Sequence, residues 1–485
     1  MSDTWYRLSH ASADKIRSIQ DRQVRKYFRH YVPYSPYYRE LFKKHNLSFS
    51  DIRSTADLVK IPFTSKANLA PTAEDPAKPR QFILQPTPEL IKQYATKSQL
   101  MKILWAKLTK QDVKRKLERE YKPIHMHFTT GRTALPTPFT YSEFDVKQMQ
   151  ESGRRMLDVI KLDRSLVAIN GFPYSPHLAF WLAYNALVTL GLTSLQTGGG
   201  KVMGTQKIID AIERLKAGLL LFIPGYGYHL LREAVHQNRD FSSVKQVVFG
   251  GERVSQGLRD KVRELLVQLG AKEPSILATY AMTEGKTAWI QCHEKSGYHT
   301  YPDTEFFEVI DKEGNRVKDG EPGELVYTAL NWRGSVVLRY RTGDMCPGME
   351  YGPCPYCGKT VPRIKADIQR TSEIKEFHLT KVKGELVNMN AFYPLLSGIP
   401  EIEEWQVTIQ KKNNDPFEVD ELVVEVALKE AAQFDQYASK LQKVIVDEIG
   451  VGITLKQCPI ETLMQKIGLE TELKDKRIID ARPKH

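Results

Sequence analysis

Residues 279–285 read Thr-Tyr-Ala-Met-Thr-Glu-Gly and directly follow the apolar run that begins Ser275-Ile-Leu-Ala. A short apolar run of this kind predicts a buried strand, with Thr283 and Glu284 at its carboxyl end. In open α/β sheets, that end of the strands is where ligands bind. Glu284 there is suited to hold Mg²⁺ beside phosphate groups, because Mg²⁺ prefers hard oxygen ligands. A solvent-exposed loop glutamate is the alternative interpretation.

Similar apolar runs lie upstream, and helical patterns separate them. The runs span 165–170, 217–223 and 244–249, and the helical patterns span 176–191, 205–215, 226–236 and 255–269. Strands that alternate with helices predict a layered α/β domain with a largely parallel sheet. Runs at 305–310 and 324–328 flank Asp311-Lys-Glu-Gly-Asn, which predicts a hairpin.

The C-terminal part changes character. Strand-like runs at 405–411 and 421–428 precede a helical pattern at 430–449 and a further strand at 453–458. This order predicts a small α+β domain. The polar run 365–376 lacks a periodic core, so we expect an N-terminal domain over 1–370 and a C-terminal domain over 371–485.

Composition excludes several classes of protein. The chain has 485 residues, of which 41% are hydrophobic and 26% charged, so it can bury a large core and is not disordered over most of its length. Five cysteines are too few for a disulfide scaffold. The N-terminus does not resemble a signal peptide, and no apolar run reaches about 18 residues. We therefore expect a cytoplasmic protein with no membrane partner; the sequence is compatible with a homodimer.

The net charge of +12 is compatible with anionic partners, and half of it is concentrated in residues 87–122. That stretch has ten basic and four acidic residues, a net charge of +6. Met101, Leu104 and Leu108 recur at helical spacing, which predicts a basic amphipathic helix or helix pair inserted in the N-terminal domain. A solvated face packed on the domain is one interpretation. Docking of a nucleic acid, another polyanion or a carrier is the other.

Three more motifs favour nucleotide chemistry, although each is ambiguous alone. Phe128-Thr-Thr-Gly-Arg-Thr is a candidate phosphate cradle, because backbone N–H groups and hydroxyls can line an anion nest. Phe249-Gly-Gly-Glu-Arg follows a strand and is expected to open a helix, and its glycines let a flat ligand approach the backbone. Arg339-Tyr-Arg-Thr-Gly-Asp is expected to end a strand, and Asp344 can accept two hydroxyl hydrogen bonds.

Taken in order, these motifs resemble those of the adenylate-forming (acyl-activating) enzyme superfamily, and within it the phenylacetate–coenzyme A ligase-like branch. Gly323-Glu-Leu-Val-Tyr-Thr and the closing Lys476-Arg-Ile-Ile-Asp-Ala-Arg add to the resemblance, which covers about 125 to 485. It implies a large N-terminal domain and a small mobile C-terminal domain. It also implies that a carboxylate attacks the α-phosphate of ATP to give acyl-AMP and pyrophosphate, and that coenzyme A then takes the acyl group.

The resemblance also implies residue roles. Thr283 would touch the α-phosphate, Glu284 the Mg²⁺ and Lys474 the adenylation transition state, with Lys476 as a rival. The residues expected to bind ATP or AMP are Thr129, Thr130, Gly131, Arg132, Gly251, Glu252, Tyr280, Asp344 and Arg370. A positive charge at Lys474 makes physical sense, because negative charge develops on the phosphate oxygens there.

The chain departs from the superfamily pattern at several positions. His125-Met-His-Phe stands where small residues precede the Thr-Thr-Gly, so we expect a bulkier cradle. Arg132-Thr stands in place of Lys-Pro, Ala281 and Leu473 each replace a glycine, and the hinge reads Gln369-Arg-Thr-Ser-Glu. The altered hinge keeps an amine or other acceptor open as an alternative to coenzyme A. A nucleic-acid-binding protein on a decayed ligase scaffold is the alternative of another class.

A metal site is predicted beside the nucleotide motifs. Cys354-Pro-Tyr-Cys357 is a C-x-x-C pair, which supplies half of a tetrahedral zinc site. Cys292 and His299 are the expected second half, with His293 as an alternative ligand. Four protein ligands leave no open position, so the zinc would be structural. Free thiols are the other interpretation, and Cys346 and Cys458 are expected to bind no metal.

The substrate is predicted to be a small carboxylic acid. Residues 170–181 follow a strand, and in similar enzymes this region lines the acid pocket. The ring side chains there favour a flat aromatic or heteroaromatic acid: Phe172, Tyr174, His177 and Phe180. Core packing explains Phe180 equally well. We therefore expect an acid–coenzyme A ligase that uses ATP, Mg²⁺ and structural zinc.

Overall fold

The structure is a computed structural model that describes residues 3–72, 74–109, 112–129, 137–370, 380–382, 385–387, 389–411, 420–429, 434–468 and 475–482. The α-helices are α1 Asp3–Ser9, α2 Ala13–His30, α3 Pro36–Lys44, α4 Lys66–Leu69, α5 Pro88–Tyr94, α6 Lys97–Leu108, α7 Val113–Tyr121, α8 Glu143–Val159, α9 Leu178–Thr189, α10 Gly200–Met203, α11 Thr205–Arg214, α12 Pro224–His236, α13 Gln256–Gln268, α14 Phe392–Gly398, α15 Phe434–Ile449 and α16 Ile460–Ile467. The strands are β1 His125–Phe128, β2 Pro138–Tyr141, β3 Ala168–Asn170, β4 Ser194–Gln196, β5 Leu219–Phe222, β6 Gln246–Phe249, β7 Ser275–Met282, β8 Thr287–Ile290, β9 Tyr298–His299, β10 Glu305–Ile310, β11 Gly323–Ala329, β12 Tyr340–Cys346, β13 Met349–Glu350, β14 Arg363–Ile364, β15 Gln369–Arg370, β16 Thr380–Val382, β17 Glu385–Val387, β18 Ile402–Lys411, β19 Asp420–Leu428, β20 Thr454–Gln457 and β21 Ile478–Asp480.

The chain divides into two compact units. Unit 1 contains Met1–Asn170, Tyr174–Gln196 and Leu277–Ile368, and unit 2 contains Gly171–Pro173, Thr197–Ile276 and Gln369–His485. One division therefore falls close to the predicted boundary at 370. Unit 2 also takes in residues 197–276, so the organisation into domains 1–370 and 371–485 stays a prediction.

The strands of unit 1 pair mainly antiparallel. β7 pairs with β8, β8 with β9, β9 with β14 and β14 with β13, all antiparallel, and β10, β11 and β12 form a second antiparallel set. The predicted hairpin is confirmed by the pairing of β10 with β11. Upstream of β7, parallel pairing joins β3 to β4 within unit 1 and β5 to β6 within unit 2. The prediction of a largely parallel sheet is therefore wrong from β7 onward, because the four residues between β7 and β8 are too few for a crossover.

Two motif placements also differ from expectation. Asp344 lies inside β12, which begins at Tyr340, whereas the sequence suggested that the motif ends a strand. Gly343 has φ +73°, and the β11–β12 register shifts nearby, so the motif is an irregular strand start. The motif Phe249-Gly-Gly-Glu-Arg leads into a loop, and α13 starts only at Gln256, where the Ser255 hydroxyl accepts the N–H of Leu258.

Unit 2 contains a mixed sheet in the order β20, β19, β18, β21. The predicted strand–strand–helix–strand unit is confirmed by β18, β19, α15 and β20. Its core is formed by buried side chains of both layers, including Trp405, Val407, Val424, Leu441 and Ile445. Helix α16 and strand β21, which pairs parallel with β18, were not predicted from the sequence.

A buried ion pair ties together the parts of unit 1 that carry the motifs. The side chains of Lys286 and Asp145 are both fully buried, and the Lys286 ammonium donates to Asp145 Oδ2 at 3.0 Å and to the Thr140 carbonyl at 2.7 Å. Asp145 also accepts the backbone N–H groups of Arg333 and Gly334 at 2.7 and 2.6 Å. The carboxylate thereby joins α8, the β7–β8 loop and the segment before β12.

This ion pair generates a stability prediction. Asp145→Asn should lower the free energy of unfolding by about 3–5 kcal/mol, because it leaves the buried Lys286 ammonium without its counter-charge. The matched control, Asp260→Asn, removes an exposed carboxylate that contacts only nearby residues of its own helix in the described structure, Arg263 and Gln256, and should change stability by about 0.5 kcal/mol or less. Urea unfolding followed by circular dichroism measures both. A loss below about 1 kcal/mol for Asp145→Asn would show that the pair does not hold this region together.

Candidate functional site

Tyr280 and Asp344 form one polar corner of the candidate site in unit 1. The Tyr280 hydroxyl donates to Asp344 Oδ2 at 2.7 Å, and the Tyr280 ring stacks on Trp289 with 5.4 Å between ring centroids. Asp344 is buried, and its N–H donates to the Thr342 hydroxyl at 3.0 Å. A carboxylate held in this way is preorganised to accept hydroxyl hydrogen bonds from a sugar.

Thr283 and Glu284 lie in the loop between β7 and β8, as the sequence predicted. This loop is held at its far end by Lys286, the buried partner of Asp145. The Tyr340 hydroxyl donates to Glu284 Oε1 at 3.0 Å. Among the described residues, Glu284 Oε2 has no hydrogen-bond partner, so a hard oxygen ligand is available for a cation.

The candidate phosphate cradle begins at the β1–β2 hairpin. The buried Thr129 donates its N–H to the Thr137 carbonyl at 3.1 Å, and its hydroxyl accepts the Thr137 N–H at 3.3 Å. Thr130, Gly131 and Arg132 lie outside the described residues. The hairpin is joined to the Thr283–Glu284 loop, because Lys286 donates to the Thr140 carbonyl of β2.

Two histidines fill the inner face of β1, which the sequence analysis noted only as bulk. His125 and His127 are two residues apart on the strand and therefore share a face. Their Nε2 atoms are 2.8 Å apart, and His127 Nδ1 is 2.8 Å from the Tyr141 hydroxyl. Burial, followed by the charges of His125, Lys286 and His177, lowers the pKa of His127 to about 3. His127 is therefore neutral at physiological pH.

The predicted acid-pocket residues have different environments. Phe172 and Phe180 are buried, whereas Tyr174 is 62% exposed. In unit 1, Tyr174 meets the edge of Phe180 at 5.3 Å between centroids, and His177 Nδ1 is 2.9 Å from the Phe128 carbonyl. Trp181, which the sequence analysis did not assign to the pocket, lies 5.9 Å from Tyr174 and 5.2 Å from His125. The pocket ring residues of unit 1 thus adjoin the histidine pair.

In unit 2, the Gly251–Glu252 loop meets the C-terminal segment. Gly251 has φ +91°, a left-handed conformation that favours glycine, and Glu252 Oε1 accepts the N–H of Asp475 at 3.1 Å. Lys474 lies outside the described residues, and the side chain of Arg370 is also outside them. The guanidinium of Arg477 donates two hydrogen bonds to the Glu404 carboxylate, at 2.8 and 2.9 Å. These bonds anchor the segment after Lys474.

The predicted metal ligands come together in unit 1. The ligand atoms of Cys292, His299, Cys354 and Cys357 all lie within 4.8 Å of one another. The Cys292 and Cys354 sulfurs are 3.5 Å apart, and the Cys357 sulfur is 3.2 Å from His299 Nε2. Tetrahedral zinc would place such atoms about 3.8 and 3.5 Å apart, so the residues fit a closed four-ligand site.

The surroundings of the cluster also suit a metal. His299 Nδ1 is 3.2 Å from the Ile290 carbonyl, which holds the ring with Nε2 toward the sulfurs. Gly358, after the second cysteine of the pair, has φ +76° and donates its N–H to the Cys354 carbonyl, which closes the knuckle. The alternative ligand His293 instead stacks on Tyr356 at 4.0 Å and lies outside the group.

Comparisons with known proteins place the chain in a family. Residues 58–331, more than half of the chain, match the family of AMP-binding enzymes. The chain is 24% identical over 465 residues to the phenylacetate–coenzyme A ligase of Thermus thermophilus, covering 91% of this chain and 92% of that enzyme. It is also 24% identical over 499 residues to the phenylacetate–coenzyme A ligase of Aromatoleum evansii, with 98% and 96% covered.

Solved structures share the fold. A 2-hydroxyisobutyryl-CoA ligase in the postadenylation state, in complex with 2-HIB-AMP, superposes with a TM-score of 0.75 at 19% identity and covers 98% of this chain and 92% of that one. The same ligase with 2-HIB-AMP and CoA in the thioesterification state gives a TM-score of 0.60 over 98% and 91% of the two chains. The chain therefore belongs to the AMP-binding enzyme family and has the adenylate-forming fold.

The buried histidine generates a pH prediction. Because the pKa of His127 falls from about 6.5 in the unfolded chain to about 3 in the fold, its contribution to stability is present above pH 6.5 and is lost as pH falls toward 3. Between pH 7 and pH 5 this loss is about 2 kcal/mol. His127→Gln should therefore reduce the acid sensitivity of unfolding by that amount.

The matched control for this prediction is His45→Gln, which changes an exposed histidine. Urea unfolding of both variants and of the parent chain at pH 7 and pH 5 provides the comparison. Equal acid sensitivity in the parent chain and in His127→Gln would contradict a buried neutral imidazole.

Proposed function

We propose that the protein activates a small, flat carboxylic acid as acyl-AMP at the expense of ATP and then transfers the acyl group to coenzyme A. The Tyr280–Asp344 hydrogen bond next to the Thr283–Glu284 loop carries this proposal, because it places a buried carboxylate and a hard cation ligand in one unit. The match of residues 58–331 to AMP-binding enzymes and the coenzyme A ligases among the relatives support it.

The proposed roles follow from the local chemistry. Asp344 accepts the ribose hydroxyls, and Thr129, Thr130, Gly131 and Arg132 hold phosphates through N–H groups, hydroxyls and one guanidinium. Thr283 donates to the α-phosphate. Mg²⁺ at Glu284 would neutralise phosphate charge when bound. Gly251 and Glu252 border the adenine, and Arg370 contacts the nucleotide.

The acid is proposed to be aromatic or heteroaromatic. Ring side chains at 174, 180 and 181 present flat surfaces of the kind that stack on planar substrates. His125 and His127, which are bulky where similar enzymes have small residues, narrow the adjacent space on β1. A compact acid fits this set of ring side chains better than a long aliphatic acid.

The test is pyrophosphate exchange into ATP with a panel of acids and no coenzyme A. Exchange that requires an acid, followed by thioester formation when coenzyme A is added, is the expected result. Exchange followed by turnover that never requires coenzyme A would assign the acceptor as an amine. No exchange with any acid, combined with salt-sensitive binding of RNA or DNA, would overturn the enzymatic proposal.

Lys474 is proposed to stabilise the adenylation transition state. Its neighbour Asp475 donates its N–H to Glu252, in the loop proposed to bound the adenine. Lys474→Gln should lower acid-dependent exchange by about 10²–10³-fold, because it removes a charge that acts on the developing phosphate charge.

Lys476→Gln is the matched control for this prediction. The backbone of Lys476 is held by two elements of unit 2, because its N–H donates to the Ile467 carbonyl of α16 and its carbonyl accepts from the Gln406 side chain of β18. Exchange should change little in this variant. A large loss of exchange in Lys476→Gln, with none in Lys474→Gln, would assign the stabilisation of the transition state to Lys476 instead.

We also propose that Cys292, His299, Cys354 and Cys357 bind one structural zinc. Protein purified without chelator should contain about one zinc per chain by elemental analysis, and Cys354→Ser should lose it, because three ligands no longer close the site. Cys346→Ser, which changes a buried cysteine outside the group, should retain the metal. Zinc-free parent protein would refute the site.

A further inference from the structure

Helix α6 presents an apolar face to solvent. Five large side chains on one side of this helix are exposed: Leu100 37%, Met101 71%, Leu104 64%, Trp105 65% and Leu108 76%. We call these residues the α6 stripe. At 100° per residue they share one side of the helix. Scattered single apolar residues on a surface need no explanation, whereas a contiguous stripe of this kind marks an interaction site.

The orientation of α6 is set by its opposite side. Ala106 is buried, and Gln99 donates to the Tyr31 hydroxyl at 3.1 Å while its side-chain oxygen accepts the Thr96 N–H at 2.7 Å. Helix α7, which follows, is tied to unit 1 by Arg119 to Glu143 and by Glu120 to Arg333. The stripe is therefore the outer face of an anchored helix.

A row of positive charge lies on α2, whose C-terminal end contacts α6 through the hydrogen bond of Gln99 to Tyr31. Arg22, Arg25, Lys26 and Arg29 recur at helical spacing on α2 and are all exposed. We call them the α2 basic row. Burial, followed by the charges of Arg333 and Arg22, lowers the pKa of Lys26, and the charge of Lys102 on α6 also lowers it. Among the residues that the structure describes, no carboxylate pairs with any member of this row.

We propose that the α6 stripe and the α2 basic row dock the protein on an anionic lipid surface. Leucine, methionine and tryptophan side chains would enter the boundary between headgroups and acyl chains, and the cations would contact lipid phosphates. A nucleic acid would bind the cations, but it would leave the exposed aliphatic side chains of the α6 stripe unexplained. Nucleic-acid bases stack on aromatic side chains, not on aliphatic ones.

This contact is peripheral. No helix within the described part of the chain is long and apolar enough to cross a bilayer. A lipid contact differs from the expectation that the protein has no membrane partner, and the basic insertion at 87–122 then has a role that is independent of adenylation. Binding to lipid can therefore be measured with no substrate present.

The test uses the full chain and sedimentation with vesicles of phosphatidylcholine, alone or with one third phosphatidylglycerol. The protein should bind the anionic vesicles preferentially and be released by salt. Leu104→Ser combined with Leu108→Ser should weaken binding by about tenfold or more, because it removes apolar surface that would be buried in lipid. Val267→Ser, at another exposed apolar position, should bind like the parent chain.

The basic row is tested separately. Arg25→Gln combined with Arg29→Gln should weaken binding to the anionic vesicles by roughly tenfold, whereas Lys443→Gln, at an exposed lysine of α15, should not. Thermal midpoints equal to that of the parent chain show that the variants fold.

Tryptophan fluorescence reports the depth of insertion. Trp105 is 65% exposed, whereas Trp5, Trp289, Trp332 and Trp405 are at most 3% exposed. Brominated phosphatidylcholine in the anionic vesicles should quench the tryptophan fluorescence of the parent chain, and Trp105→Phe should still bind but lose that quenching.

The proposal is overturned if anionic vesicles are not bound, or if the Leu104/Leu108 variant binds them as the parent does. RNA or an acidic protein binding through the stripe, without vesicle binding, would also overturn it.

Discussion

The buried ion pair between Lys286 and Asp145 is the constraint on which the candidate site of unit 1 depends. Placing two charges in the interior is tolerated only when their remaining hydrogen-bonding capacity is met. Here Asp145 accepts from Lys286, Arg333 and Gly334, and Lys286 also donates to the Thr140 carbonyl. The Thr283–Glu284 loop, the β1–β2 hairpin and the start of helix α8 are thereby positioned by one polar cluster.

Much of the fold could be predicted from local pattern. Apolar runs located β3, β5, β6 and β7, and the strand–helix order of the C-terminal region was correct, because these elements bury side chains at their own spacing. The cluster of three cysteines and one histidine was also predictable, since the C-x-x-C pair restricts the choice of partners. Their meeting within 4.8 Å confirms the grouping, while the zinc itself stays a proposal.

The remaining features depend on non-local contacts. Asp145 looks like an ordinary acidic residue in the first turn of a helix, and Lys286 like a loop lysine; they are 141 positions apart, and no sequence spacing links them. The same applies to β21, whose pairing with β18 spans most of the C-terminal region. The antiparallel turn of the sheet at β7 was missed because apolar content does not encode strand direction.

The histidines of β1 depart from the superfamily pattern, and this departure has a physical consequence. Small residues would leave space on this face of β1, whereas His125 and His127 fill it, with hydrogen bonds between the two rings and from His127 to Tyr141. Because burial keeps the pKa of His127 low, the pair adds volume and hydrogen bonds without adding the charge of a protonated His127 to this face of β1. The excess positive charge of the chain is concentrated elsewhere, half of it in residues 87–122.

The central claim is that a carboxylate oxygen of the substrate becomes bonded to the α-phosphorus of ATP. The direct measurement uses an acid labelled with ¹⁸O in its carboxyl group, with ATP and coenzyme A, and mass spectrometry of the nucleotide and phosphate products. The account predicts AMP that carries one labelled oxygen and pyrophosphate that carries none. Label in inorganic phosphate together with ADP would contradict it, because the acid would then have attacked the γ-phosphate.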